Sequence, residues 1–130
     1  MILAPAAASS RGPQPIASIQ ASAVNQDGRS SGLTAPNGPS QTTLIRDAIK
    51  AGGISSQDLA FVAVHGTGTP LGDPIEVGGL GGALKSQSTT SIEHRPVMGS
   101  VKACFGHTEG AAGITGMHTS LAASWSGSAI

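Results

Sequence analysis

Apolar residues fall into a few patterned stretches along the chain, separated by runs of Gly, Pro, Ser and Asn. Ile16, Ile19 and Val24 alternate loosely among small residues and predict a strand over 16–24. Turn-forming residues then dominate from Asn25 to Pro39, which reads as a long loop. Across Ser40 to Ala51, Leu44, Ile45, Ala48 and Ile49 share one helical face, while Arg46, Asp47 and Lys50 point elsewhere. That pattern predicts an amphipathic helix, stopped by Gly52 and Gly53. A short turn at Ser55 to Asp58 leads into Leu59, Ala60, Phe61, Val62, Ala63 and Val64. This unbroken apolar run is too short for a typical helix and predicts a buried strand.

Further on, Asp73 as N-cap, Pro74 at the first helical position and Glu76 in the first turn announce a second helix, Pro74 to Leu84. Gly78, Gly79, Gly81 and Gly82 lie inside it, and each interior glycine costs about 1 kcal/mol relative to alanine. Lys85 to Arg95 is polar and irregular. Pro96 to Val101 predicts a short strand, and Glu109 to Ser124 a helix with Ile114, Met117 and Leu121 on one face. The alternation of strands and helices indicates an α/β layered fold. Residues 1–15, rich in Ala, Ser and Pro and free of acids, read as a disordered leader, and 125–130 as a tail. An acid-poor leader also fits organelle targeting.

Composition narrows the function classes. The 130 residues suit one domain, and a formal net charge of zero gives no reason to expect nucleic acid or an anionic membrane surface. No apolar run approaches the length of a membrane span. One cysteine, Cys104, allows no internal disulfide. The 19 glycines and 2% aromatic content leave few large anchors, Phe61, Phe105 and Trp125. That is expected of a piece of a larger, interface-rich fold or of a weakly stable fragment.

The candidate chemistry sits at strand ends. His65 ends the buried run and opens a loop of alternating Gly and Thr; His107 follows the second short strand, also among glycines. Ligands of open α/β sheets bind outside the carboxyl ends of strands. Two neutral imidazoles meeting there can donate hydrogen bonds to an oxyanion. They can equally ligate a metal with Asp73, Glu76 or Glu109, although the spacing carries no zinc signature, or be satisfied buried histidines. Residue types alone leave these open. Asp73 and Glu76 read as helix caps that complement the dipole. The spacing Gly66-x-Gly68 matches neither dinucleotide nor P-loop motifs. His94 and His118 read as surface or packing residues.

Three segments carry a family resemblance. His65-Gly66-Thr67-Gly68-Thr69-Pro70-Leu71-Gly72-Asp73-Pro74-Ile75-Glu76 is similar to the first histidine motif of β-ketoacyl synthases, the condensing enzymes of fatty-acid and polyketide synthesis. Gly99-Ser100-Val101-Lys102-Ala103-Cys104-Phe105-Gly106-His107-Thr108-Glu109 resembles their lysine and second-histidine motif. The segment from Ser22 to Gly38 resembles the opening of the C-terminal half in polyketide-type synthases.

The resemblance covers about Ile16 to Gly116. It implies the C-terminal half of a thiolase-like layered fold over 16–124, without its two final strands. It also implies a decarboxylative Claisen condensation in which His65 and His107 stabilise the oxyanion of the extender thioester. Lys102 orders the site, Glu109 lies close to that lysine, and Thr67, Thr69 and Asp73 support the loop. The implied partners are acyl carrier protein with its acyl and malonyl thioesters, the N-terminal half that bears the nucleophilic cysteine, and a second copy in a homodimer. No metal, nucleotide or other cofactor is implied, and the cytoplasm is the expected compartment.

Departures are visible too. Cys104 stands between Lys102 and His107, where relatives commonly have a non-nucleophilic residue. Ala63 stands near where many have Glu, and the glycine-loaded helix replaces better helix formers. Because the half that bears the family's nucleophilic cysteine is absent from the matched segments, the isolated chain is expected to be inactive in condensation. The rival reading is a non-catalytic interaction module, a decayed half-domain that binds a synthase or a carrier protein.

Overall fold

The computed structural model describes residues 14–30, 32, 35–85 and 96–127. Most of the leader, the polar stretch around His94 and Arg95, and the last three tail residues lie outside the described residues. In chain order the elements are α1 (Gly38–Gly52), a 3₁₀ turn (Ser56–Asp58), β1 (Phe61–Ala63) and α2 (Gly72–Lys85). They are followed by β2 (Val97–Gly99), α3 (Lys102–Phe105), a 3₁₀ turn (Glu109–Ala111) and α4 (Ala112–Ser126). β1 and β2 pair in parallel, Phe61 opposite Val97 and Ala63 opposite Gly99. The helix α4 packs on β1, and α1 packs along α2.

The first helix follows its sequence pattern. Ile49 is buried, and Leu44, Ile45 and Ala48 are half-buried beside it. Asn37 caps it by accepting the Ser40 N–H at 3.1 Å, with Pro39 in the first turn and Gly53 ending it in the left-handed conformation at φ 62°. The same Asn37 side chain donates to the carbonyl of Asp27 at 2.7 Å and of Arg29 at 3.3 Å. Ser40 Oγ also donates to the Asp27 carbonyl, and Asn25 Nδ2 to the Ser40 carbonyl. The predicted long loop is thus tied along its described residues to the start of α1.

Several expectations are corrected. Residues 16–24 form no strand: among the described residues none pairs with them, and Ile16, Ile19 and Val24 are exposed. They run beside α1, with Gln20 and Ala21 passing Gly52. The predicted buried strand is only three residues long and half-buried, because a two-stranded sheet leaves open edges and incomplete cover. The second strand is likewise shorter than predicted, and Lys102 begins a one-turn helix. The start of α2 is capped by Thr69, whose Oγ1 accepts the Gly72 N–H at 3.1 Å and whose carbonyl accepts the Asp73 N–H at 3.3 Å. Asp73 therefore lies inside the first turn. In α4 the buried side chains are Thr119 and Ala123, while Ile114 and Met117 face outward. Small residues at that spacing let the helix approach β1 closely. Trp125, placed in the tail by the sequence pattern, belongs to the last turn of α4.

The four glycines of α2 divide into two pairs. A Cβ at Gly79 would lie 3.2 Å from Gln41 Cβ, and one at Gly82 would lie 3.2 Å from Thr42 Oγ1. Their absence lets side chains of α1 reach the backbone of α2: Thr42 Oγ1 donates to the Gly79 carbonyl at 3.0 Å and Arg46 Nη2 to the Gly82 carbonyl at 2.9 Å. Among the described residues nothing lies within 4 Å of a Cβ placed at Gly78 or Gly81. Among the described residues the buried apolar side chains are few, Ile49, Leu80, Ala83 and Ala123. Much of the helix pairing therefore rests on these polar contacts. Gly78→Ala and Gly81→Ala should each raise the melting temperature, by up to roughly 4 °C for about 1 kcal/mol of helix propensity. Gly79→Ala should lower it. Calorimetry of the three variants checks the order, and a lowered value for Gly78→Ala contradicts it.

Candidate active site

Because β1 and β2 are parallel, their carboxyl ends emerge at the same edge of the sheet. The last ladder bond there is Val64 N–H to the Gly99 carbonyl, 2.9 Å. His65 follows immediately on one side. On the other come Ser100, Val101 and the one-turn helix α3, which begins at Lys102 and is capped by Gly106, one residue before His107. Gly106, at φ 75°, donates its N–H to the Lys102 carbonyl at 2.9 Å and lets the chain reverse.

These two paths bring the histidines face to edge. The His65 and His107 rings have centroids 5.2 Å apart and planes inclined by 87°. The backbone N–H of Glu109 donates to His107 Nδ1 at 2.8 Å. An amide N–H can only donate, so Nδ1 is an acceptor and the ring proton sits on Nε2. Glu109 reaches this position at φ 47°, in the left-handed region that non-glycine residues rarely occupy. Such a conformation costs on the order of 1–3 kcal/mol and persists where surrounding structure enforces it. Both rings are exposed.

The loop that carries His65 is held by two carboxylates on one face of α2. Glu76 Oε1 accepts the His65 N–H at 2.5 Å, and Oε2 accepts the Gly66 N–H at 2.9 Å. Asp73, one turn earlier, accepts the Gly68 N–H with both oxygens at 3.2 Å. Gly66 and Gly68 have positive φ, 50° and 79°, which glycine adopts without a steric penalty. A helix start whose acids take the amides of the preceding loop is more than a dipole complement. The signal for Glu76 was its place one turn after Asp73, at i and i+3 of the same helix face.

The remaining candidate residues are distributed around this centre. Thr67 is half-buried, and its hydroxyl has no protein partner among the described residues; Thr69 caps α2. Lys102 is half-buried, next in the chain to the turn bearing His107. Among the described residues no ion pair joins Lys102 to Glu109. Cys104 is free and exposed on α3, and His118 is exposed on α4. Ser100, which the sequence reading passed over, bonds to the His65 loop. Among the described residues no three His, Cys, Asp or Glu side chains are grouped to hold a metal ion. The carboxylates of Asp73 and Glu76 are already engaged by backbone amides.

Residues 16–125 match the family described as Beta-ketoacyl synthase, C-terminal domain. The chain is 50% identical over 103 residues to Polyketide synthase GfsB of Streptomyces halstedii, covering 78% of this chain and 2% of that protein. It is 52% identical over 108 residues to the Spectinabilin polyketide synthase system protein NorB of Streptomyces orinoci, covering 82% and 5%. Among solved structures it superposes on the oxazolomycin ketosynthase domain OzmH KS7 of Streptomyces albus JA3453 with a TM-score of 0.83 at 38% identity. That match covers 90% of this chain and 20% of the other. The ketosynthase from module 6 of the bacillaene synthase of Bacillus subtilis 168 gives 0.75 at 39% identity, covering 81% and 18%. The chain thus spans a small part of each relative, and the shared architecture is the thiolase-like α/β fold of ketosynthase domains.

Glu76→Gln should replace one amide acceptor by a donor that faces an N–H. Hydrogen bonds to charged groups contribute about 1.5–3 kcal/mol when buried and less where water reaches them. A local loss of about 2 kcal/mol would speed hydrogen exchange at the His65 and Gly66 amides roughly thirty-fold, with the α1 amides unchanged. Exchange measured by NMR checks this, and unaltered rates at both amides contradict it.

Proposed function

Since this chain belongs to the family of β-ketoacyl synthase C-terminal domains, we propose that it supplies the oxyanion-binding part of a polyketide-type condensing site. The observation that carries this reading is the pairing of His65 with His107, the latter with its proton on Nε2. A neutral Nε2–H at an open strand-end site is a donor for the oxygen on which charge develops.

In the proposed reaction, a malonyl thioester on an acyl carrier protein binds with its carbonyl oxygen at the two imidazoles. The bond to the carboxylate breaks, carbon dioxide leaves, and the electron pair passes to the α-carbon and the thioester oxygen. The resulting carbanion attacks the carbonyl of an acyl group held as a thioester on cysteine. A carbon–carbon bond forms and the cysteine thiolate leaves. Lys102 contributes positive charge beside the His107 turn, and Glu109 fixes the His107 tautomer through its backbone. Asp73 and Thr69 keep the first histidine loop in shape.

The nucleophile comes from another segment. Cys104 is the one cysteine in the sequence, and it stands on the exposed face of α3 among residues that serve the second histidine. The chain alone is accordingly proposed to be inactive in condensation and to act with a cysteine-bearing ketosynthase half, as part of a homodimer in the cytoplasm. Among the described residues no helix is long and apolar enough to cross a membrane.

Co-expression of the chain with a ketosynthase N-terminal half tests the proposal. Neither part alone should extend an acyl thioester with malonyl-carrier protein, and the pair should. In the active pair, His107→Ala should lower turnover on the order of 10²–10³-fold, the cost of one oxyanion donor. Cys104→Ser should leave turnover unchanged. Binding of the two parts without turnover would favour the non-catalytic docking module.

A further inference from the structure

Ser100 stands where the backbone ladder between β1 and β2 runs out. Its hydroxyl donates to the His65 carbonyl at 3.0 Å, with the Gly66 carbonyl a second acceptor at 3.4 Å. The same oxygen accepts the Lys102 N–H at 3.4 Å. A hydroxyl has one proton and two lone pairs, so one atom can serve both segments at once. Past the ladder, these are the hydrogen bonds that join the His65 loop to the segment leading to His107, among the described residues.

The close approach is built into the sequence. A Cβ at Gly66 would lie 2.7 Å from Ser100 Cβ, a separation that real side chains do not adopt. Gly66 must therefore be glycine for the hydroxyl to reach the two carbonyls. Glu76 meanwhile takes the N–H groups of the same two residues. The backbone of His65 and Gly66 is thus gripped by its amides from α2 and by its carbonyls from Ser100. The first grip ties the loop to a helix. The second ties it to the other histidine, because Ser100 leads through Val101 directly into α3 and the His107 turn.

We propose that Ser100 is a positioning residue, whose hydroxyl sets the His65 ring against the His107 ring. This inference rests on the paired-histidine reading above. Displacements of about 1 Å in a catalytic arrangement can cost 10²-fold in rate, so a tether at this point governs how well two donors share one oxygen.

The experiment uses the full 130-residue chain, read by nuclear Overhauser contacts and long-range ¹⁵N spectra of the imidazoles. The unsubstituted chain should show a contact between the His65 and His107 rings and a proton on His107 Nε2. Ser100→Ala should lose the ring-to-ring contact while retaining the β1–β2 ladder contacts and the His107 tautomer, which depends on Glu109. Ser100→Thr, which keeps the hydroxyl, should restore the contact. If Ser100→Ala keeps the ring-to-ring contact at full strength, the proposal is overturned and the paired histidines stand. If the ladder contacts vanish in both variants, Ser100 holds the strands rather than the ring, which also overturns it. Absence of the ring contact in the unsubstituted chain removes the paired-histidine reading itself, and the role of Ser100 with it.

Discussion

The carboxylate of Glu76 is the contact on which the site depends. Two consecutive amides, those of His65 and Gly66, leave the end of β1 without a strand to receive them. A carboxylate has enough lone pairs to take both donors, and its charge strengthens each bond. Meeting that demand fixes the distance between β1 and α2, and hence the path of the Gly/Thr loop. Asp73 repeats the arrangement one turn earlier for Gly68. The strand, the loop and the helix start are therefore one hydrogen-bonded unit.

The arrangement matters because apolar packing is sparse. The buried apolar side chains among the described residues include two alanines, and Phe105 and Trp125 are exposed. Fully burying a large aliphatic or aromatic side chain contributes about 1.5–3 kcal/mol, so few such terms support this chain. Polar contacts recur instead where elements meet: Thr42 and Arg46 on the carbonyls of α2, Asn37 across the loop before α1, Ser100 beyond the sheet. Hydrogen bonds are directional, so they determine geometry closely even where they add little net stability. The exposed apolar residues around β2, α3 and the end of α4 fit a chain that spans a fifth of the ketosynthase OzmH KS7.

Much of this was legible in the sequence. The helical spacing of Leu44, Ile45, Ala48 and Ile49 located α1, and Gly52 and Gly53 marked its end. The apolar run before His65 located β1, and the turn chemistry of Gly66 and Gly68 announced a tight loop. The two histidine motifs placed His65 and His107 in one site although 41 residues separate them in the numbering. The same reasoning misjudged 16–24, where a loose alternation of apolar residues found no partner strand. It also left open which face of α4 is buried, and that face carries Thr119 and Ala123, not the larger Ile114 and Met117. Burial depends on what lies opposite, and periodicity carries no information about the neighbour.

The sequence by itself determined the local events: which stretches coil, where Gly permits a left-handed turn, and which side chains can donate, accept or carry charge. Those follow from sterics and chemistry within a few residues. The tertiary structure decided which of those groups meet. It turned Glu76 from a helix-dipole residue into the acceptor for the His65 loop, and moved the cap of α2 from Asp73 to Thr69. It separated the packing glycines Gly79 and Gly82 from Gly78 and Gly81. It also set Ser100 against Gly66, a pairing that exists only because two strands distant in sequence run parallel and end at the same edge.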